Sequence, residues 1–309
     1  MNILLIGGGG FLGLNIAKTL VADGHTVHIA DLNVNALAML KNLNGIHGIH
    51  QIDCANIADV LSHINRFQIE CVFNLASNLI PSSSYEAYNI EQANFVVPAF
   101  QLLSELASRE VKYVYFSSGG AVYGSSDQNG VSESNPKNPI SYYGLSKSLF
   151  EELVLFTGRT KGLNYLIVRP SNPFGPFQNP SKKQGLIAVA VDKMQKNEPI
   201  EIWGDGSVVR DYIWVGDLAR AVADLISKNH WNEIYNLGSG LGHSINQVLE
   251  IIQSLVDTSS KIIYTSPRSV DVSRIILDIQ KLQSDIAFHP AGLKEGIAMY
   301  LGEMKGAKK

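Results

Sequence analysis

The chain is 309 residues long and short of three things: cysteine, net charge and long apolar runs. Its two cysteines, Cys54 and Cys71, exclude a disulfide framework and suit a reducing compartment. Charged residues make up only 17% of the chain, and 25 Lys+Arg stand against 28 Asp+Glu, leaving a net charge of −3. No basic excess points to nucleic acid or to an anionic membrane. Eight histidines are scattered without a Cys/His cluster, so no metal site is expected. No segment reaches the ~20 apolar residues of a membrane-spanning helix. The apolar start Met1–Ile6 stops at four glycines, unlike a targeting signal. A soluble, cytoplasmic protein is expected. Apolar residues are plentiful at 45%, enough for a large core, which excludes global disorder.

The first half alternates short apolar runs with amphipathic stretches. Asn2–Ile6, Thr26–Ala30, Glu70–Leu75, Lys112–Ser117 and Asn164–Arg169 read as strands. Phe11–Ala22, Tyr85–Ser108 and Ser141–Phe156 read as helices, with Pro98 expected to kink or split the second. Alternation of this kind predicts an α/β fold, a doubly wound parallel sheet with helices on both faces. The pattern changes after Pro170. Ser171–Gln184 reads as an exposed loop, Gly185–Lys196, Trp214–Ser227 and Ser244–Leu255 as helices, and Ile200–Trp203 and Lys261–Thr265 as strands. A domain of residues 1–170 and a smaller mixed α/β lobe of residues 171–309 are expected, with some later segments returning to the first sheet.

Gly7-Gly8-Gly9-Gly10-Phe11-Leu12-Gly13 follows a strand and opens a helix, with glycines at Gly7-x-x-Gly10-x-x-Gly13. Such a loop lets the backbone approach a pyrophosphate at the helix N-terminus. Asp31 ends the second strand, where a carboxylate can accept the ribose hydroxyls of an adenosine and would repel a 2′-phosphate. Leu32-Asn33-Val34 offers no Arg or Lys, so NAD is favoured over NADP. Asp53 either meets the adenine edge or caps the helix that starts near Asn56.

Tyr143-Gly144-Leu145-Ser146-Lys147 puts a phenol and an ammonium four residues apart on one helix face. A cation there is expected to lower the phenol pKa, so that Tyr143 can take a proton from an alcohol. Upstream, the strand Lys112–Ser117 runs into Ser118-Gly119-Gly120-Ala121-Val122-Tyr123-Gly124, a hydroxyl at the carboxyl end of a strand.

With these motifs, and with Asn74–Ser77, Arg169–Pro176 and Arg210–Ile213, the chain resembles the extended short-chain dehydrogenase/reductases, specifically the nucleotide-sugar epimerase/dehydratase group. The resemblance implies a Rossmann-like fold with bound NAD and a nucleotide sugar as substrate. It makes Tyr143 the acid/base, with Lys147 on the nicotinamide ribose. It extends the cofactor cleft to Phe11, Leu12, Cys54, Leu75, Ala76, Ser77, Ser117 and Pro170. On the substrate side it implies Asn172, Gly185, Leu186, Trp203, Arg210, Arg268 and Asp271, the arginines suiting phosphate because a guanidinium fork matches its oxygens. The family's catalytic Ser/Thr position is Gly119 here, so the role falls to Ser118, with Ser117 in reserve.

The related dehydratases carry an Asp-Glu pair before Val-Tyr-Gly, where this chain has Gly120-Ala121. The resemblance therefore points to a 4-epimerase acting on UDP-glucose/UDP-galactose or their N-acetyl forms. A 4-keto-sugar nucleotide reductase and a non-catalytic NAD-binding sensor are the alternatives. Ile275 in place of a tyrosine suggests a permissive sugar pocket, unless it is simply core. His25/His28 and His47/His50 read as separate, partly buried or surface histidines. The helices Tyr85–Ser108 and Ser141–Phe156 carry broad apolar faces, which suggest a homodimer.

Overall fold

The computed structural model describes residues 1–32, 45–182, 185–266 and 273–306. Seven strands form one sheet in the order β10-β6-β5-β4-β1-β2-β3. They are β1 (Asn2–Ile6), β2 (Thr26–Asp31), β3 (Ile46–Gln51), β4 (Cys71–Asn74), β5 (Lys112–Phe116), β6 (Tyr165–Pro170) and β10 (Glu233–Leu237). Every pairing within this sheet is parallel. Central strands such as β1 are buried on both faces, as unbroken apolar runs in a covered parallel sheet should be. One apolar cluster lies on each face, so the fold is the Rossmann-like α/β arrangement expected.

Besides the single helical turn Gly119–Val122, the described α-helices are α1 (Phe11–Ala22), α2 (Ile57–Arg66), α3 (Tyr85–Glu91), α4 (Val97–Ser108), α5 (Tyr142–Lys161), α6 (Leu186–Gln195), α7 (Val215–Ser227), α8 (Ile245–Leu255), α9 (Gln280–Ile286) and α10 (Leu293–Gly306). None is long and apolar enough to cross a membrane. The stretch 85–108, expected to be kinked or split by Pro98, is divided by a π-helical turn, Gln92–Val96, in which Val97 N–H reaches back to Gln92 O. Pro98 sits in the first turn of α4. It has no N–H, and its ring would crowd the carbonyl of Asn94 in a continuous α-helix, so the ladder widens just before it.

The second lobe holds β9 (Val209–Trp214) between β11 (Gly242–Ser244) and β13 (Arg274–Ile275), with β7 (Asn172–Phe174) also paired to β9. A separate pair joins β8 (Ile200–Trp203) to β12 (Ile262–Thr265). Its own apolar core includes Met194, Trp214, Leu249 and Ile297. Residues 171–309 do not all stay there. β10 pairs with β6, and α7 packs on α1. The segment 171–184 is not wholly loop, because β7 and a short 3-10 turn, Pro180–Lys182, interrupt it. Ile275 is 1% exposed within the first core, so it carries no information about sugar size. One member of each histidine pair meets the other's: His28 Nδ1 and His50 Nε2 lie 3.2 Å apart across β2 and β3.

Candidate active site

The glycine loop is shaped by contacts that leave no room for side chains. Gly7 and Gly8 N–H both donate to Ala30 O, at 2.8 and 3.3 Å. Gly7 has φ +73°, and a Cβ there would lie 2.9 Å from Ala76 N. A Cβ on Gly13 would fall 2.5 Å from Gly8. Gly10 caps α1 without a side chain, and the first turn of α1 holds no acid. The amides at that end have no side-chain cap, an arrangement that suits an anion. The Asp31 carboxylate accepts Gly9 N–H at 3.0 Å, which ties it to the loop. Phe11 and Leu12 open α1, and Leu75 N–H donates to Ile6 O at the mouth of β1. This loop, the uncapped helix end and the strand-end carboxylate together fit a dinucleotide.

Asp53 does not cap α2. Asn56 does, accepting Asp59 N–H, while Asp53 Oδ1 accepts Ala55 N–H in a local turn. Burial pushes the Cys54 thiol up to about 11, so it stays protonated near neutrality.

Helix α5 is capped at its start by Ser141, whose hydroxyl accepts Gly144 N–H, and at its end by Gly162 with φ +72°. A Cβ on Gly144 would meet Ala121 O at 2.5 Å, so α5 lies tightly on the helical turn Gly119–Val122. That contact brings the Ser118 hydroxyl close enough to the Tyr143 phenol to favour its ionised form. Ser117 points elsewhere: its hydroxyl donates to Glu151 Oε1 at 2.5 Å. A Cβ on Gly119 would lie 2.6 Å from Leu277 Cδ1 and 2.9 Å from Arg169 O. A serine or threonine therefore has no space at that position, which accounts for the departure seen in the sequence.

Lys147 is 6% exposed; its Nζ donates to Phe116 O at 2.8 Å and stands 5.9 Å from the centre of the Tyr143 ring. Burial lowers its pKa to about 8 against the opposing pull of Glu91 and Glu151. Tyr143 departs from the expected lowering. Burial raises its pKa, and the nearby Ser118 hydroxyl only partly offsets this. The ammonium is committed to a main-chain carbonyl rather than to the phenol, which explains the difference.

Beneath the pair lies a buried ionic network that sequence reasoning missed. Glu151, 0% exposed, receives Arg169 Nε at 2.9 Å and Nη2 at 2.7 Å, and Lys137 Nζ at 3.1 Å. Arg169 also donates to the Tyr123 hydroxyl at 2.6 Å, which donates in turn to Asn236 Oδ1. Burial would raise the Glu151 pKa, but Arg169, Lys137 and Ser117 together hold it below the ordinary value. The available signal was spacing, since Tyr143, Lys147 and Glu151 repeat every four residues on one helix face. Pro170, next to Arg169, is buried at the end of β6.

On the substrate side, Asn172 Nδ2 donates to Asp211 O at 2.8 Å, and a Cβ on Gly120 would come no closer to Asn172 than 3.9 Å. Gly185, with φ +81°, caps α6, which begins at Leu186. Trp203 is 45% exposed at the end of β8, beside an open cleft of about 530 Å³ lined by Gly204, Asp205, Tyr264 and Thr265. Arg210, on β9, donates to Val209 O. Arg268 and Asp271 lie outside the described residues.

Residues 3–238 match the NAD dependent epimerase/dehydratase family. A Methanocaldococcus jannaschii protein, provisionally named a UDP-glucose 4-epimerase, is 36% identical over 98% of both chains. This chain belongs to that family. The family is NAD-dependent, so the dinucleotide that the loop fits is NAD. The crystal structure of Thermotoga maritima UDP-glucose 4-epimerase with UDP-glucose superposes with a TM-score of 0.90 at 28% identity, covering 100% of both chains. An Escherichia coli dTDP-4-dehydro-6-deoxyglucose reductase is 27% identical, over 94% of this chain and 92% of that protein. The family level is therefore fixed, and relatives of more than one activity stand near it.

Proposed function

We propose that this chain interconverts a UDP-hexose, UDP-glucose and UDP-galactose or their N-acetyl forms, at C4. The observation that carries this reading is the Ser118 hydroxyl set beside the Tyr143 phenol, next to a turn, Gly119–Val122, that bears no ionisable side chain. A pair able to remove one hydroxyl proton, with no second acid in the turn to expel water, suits epimerisation rather than dehydration. Tyr143 Oη takes the proton of the C4 hydroxyl, and Ser118 orients that hydroxyl and holds the phenol in line. Lys147 fixes the strand end through Phe116 O and, when charged, favours the phenolate. NAD, when bound on the glycine loop and Asp31, supplies the hydride acceptor. Asn172, Gly185, Leu186, Trp203 and Arg210, with Arg268 and Asp271, would hold the sugar nucleotide.

An NMR time course with UDP-glucose, and separately with UDP-N-acetylglucosamine, tests this reading in the presence of catalytic NAD. Galacto-configured anomeric signals should appear, and Tyr143→Phe should slow them by about 10²–10⁴-fold. Absence of such signals, together with reduction of a 4-keto-sugar nucleotide by NADH, would favour the reductase reading that the E. coli relative supports.

The same proposal includes a homodimer. Tyr142, Leu149 and Phe156 are exposed at seven-residue spacing along α5, beside exposed Tyr85, Ile90 and Val97. Repetition every two turns makes one apolar stripe, suited to a second copy of the same two helices. Light scattering after size exclusion should give twice the chain mass; a monomer at micromolar concentration would exclude the dimer.

A further inference from the structure

We propose that Glu91 is a positioning residue for the Tyr143–Lys147 pair, a buried carboxylate presented by the π-helical turn that sets how the pair shares its protons. This rests on the epimerase reading for the role of Tyr143. Glu91 is the last residue of α3 and only 3% exposed. Carboxylates are seldom buried so fully without a partner charge in contact, yet its hydrogen bonds are long and come from neutral groups. Ser77 Oγ donates to Oε1 at 3.3 Å, and Asn78 N–H reaches Oε1 at 3.4 Å and Oε2 at 3.3 Å. These bonds tie α3 to the loop that follows β4 on the cofactor side. The next residue, Gln92, donates from Nε2 to Ser146 Oγ at 3.0 Å. Ser146 lies between Tyr143 and Lys147 on α5, so both residues at the start of the π turn are tied into the site.

Among the described residues, the titratable groups that lie near enough to sense the Glu91 charge include Cys54 after β3, Tyr115 on β5, and Tyr143 and Lys147 on α5. Cys54 is pushed up to about 11 and Tyr115 well above its ordinary value, chiefly by burial, so both stay protonated near neutrality. Tyr143 and Lys147 are the two that can respond. The Glu91 charge opposes ionisation of the phenol and favours protonation of the ammonium. Both effects have one sign on the pH axis, so the working range of the pair is carried upward. Glu151, the other carboxylate near Lys147, is neutralised in place by Arg169 and Lys137.

The test is a phenolate-absorbance titration of the NAD-bound protein, taken as the difference from Tyr143→Phe, with Glu91→Gln and Glu91→Asp compared to the parent chain. The amide keeps the shape and loses the charge; the aspartate keeps the charge. In Glu91→Gln the Tyr143 midpoint should fall by about one pH unit, and the kcat profile should move with it. Glu91→Asp should stay within about 0.3 units of the parent. An unchanged midpoint in Glu91→Gln would overturn the proposal. Loss of NAD binding in Glu91→Gln would overturn it too, because Glu91 would then be a structural staple. The titration needs no substrate, so its outcome stands even where no UDP-hexose turns over.

Discussion

Glu151 and Glu91 flank the same lysine and are buried to almost the same degree, yet they are built in opposite ways. Glu151 takes two hydrogen bonds from Arg169, one from Lys137 and one from Ser117. Glu91 takes only long bonds from a hydroxyl and a main-chain amide. A saturated charge is a fixed part of the fold, because any change leaves its partners buried and unpaired. A charge without a neutralising contact still projects its field, and the site can use it. Burial alone therefore does not tell a structural ion from a tuning one; the partner inventory does.

The sharpest way to break the comparison is Glu151→Ala. It strands the Arg169 guanidinium and should cost about 3–5 kcal/mol in urea unfolding. Glu91→Gln should cost only about 1 kcal/mol in the same assay. Equal losses would erase the distinction. Next in size is Gly119→Ser, where the added Cβ meets Leu277 and Arg169 O. It should lose about 1–3 kcal/mol, and the extra hydroxyl should not rescue Ser118→Ala.

A further effect comes from the far edge of the sheet, where a buried base is kept neutral rather than ion-paired. The His28 pKa is lowered to about 4 from 6.5, first by burial and then by His50, His47 and His63. The unfolded chain therefore binds the proton that the folded chain refuses. Stability should decline as pH falls from about 6.5 towards 4 and then level off for this group. Glu151, held below 4.5, adds its own loss only at lower pH, because its stabilisation is full above that value. His28→Gln should flatten the first window and spare the second. A single acid transition untouched by the variant would contradict this.

Much of the site could be read from the residues because its parts are local. The glycine loop and the Tyr143–Lys147 pair each lie within one turn, and Asp31 ends an adjacent strand. Ser117 and Ser118 could not be separated that way. Their directions depend on Glu151 and Tyr143, both on a helix that the sequence places far away. β9 and β10 went unread as strands for a related reason: Val209–Trp214 and Glu233–Leu237 are short and mix polar with apolar residues. Their pairing partners lie distant in the chain, at β7, β11 and β13 for one and β6 for the other. The Glu151–Arg169 pair, the His28–His50 contact and the π turn at Glu91 likewise exist only once the chain is folded. The two α-helices near the C-terminus, α9 and α10, carry no capping or periodic signal strong enough to stand out in the sequence.

The central claim is that one tyrosine takes a proton from C4 while the hydrogen on that carbon leaves and comes back. Deuterium placed at C4 of UDP-glucose tests it most directly, with mass and NMR analysis of the product in ordinary water. The account predicts UDP-galactose that retains the deuterium at C4, and little product from Tyr143→Phe. Product that has lost the label to solvent, or full activity in Tyr143→Phe, would contradict it.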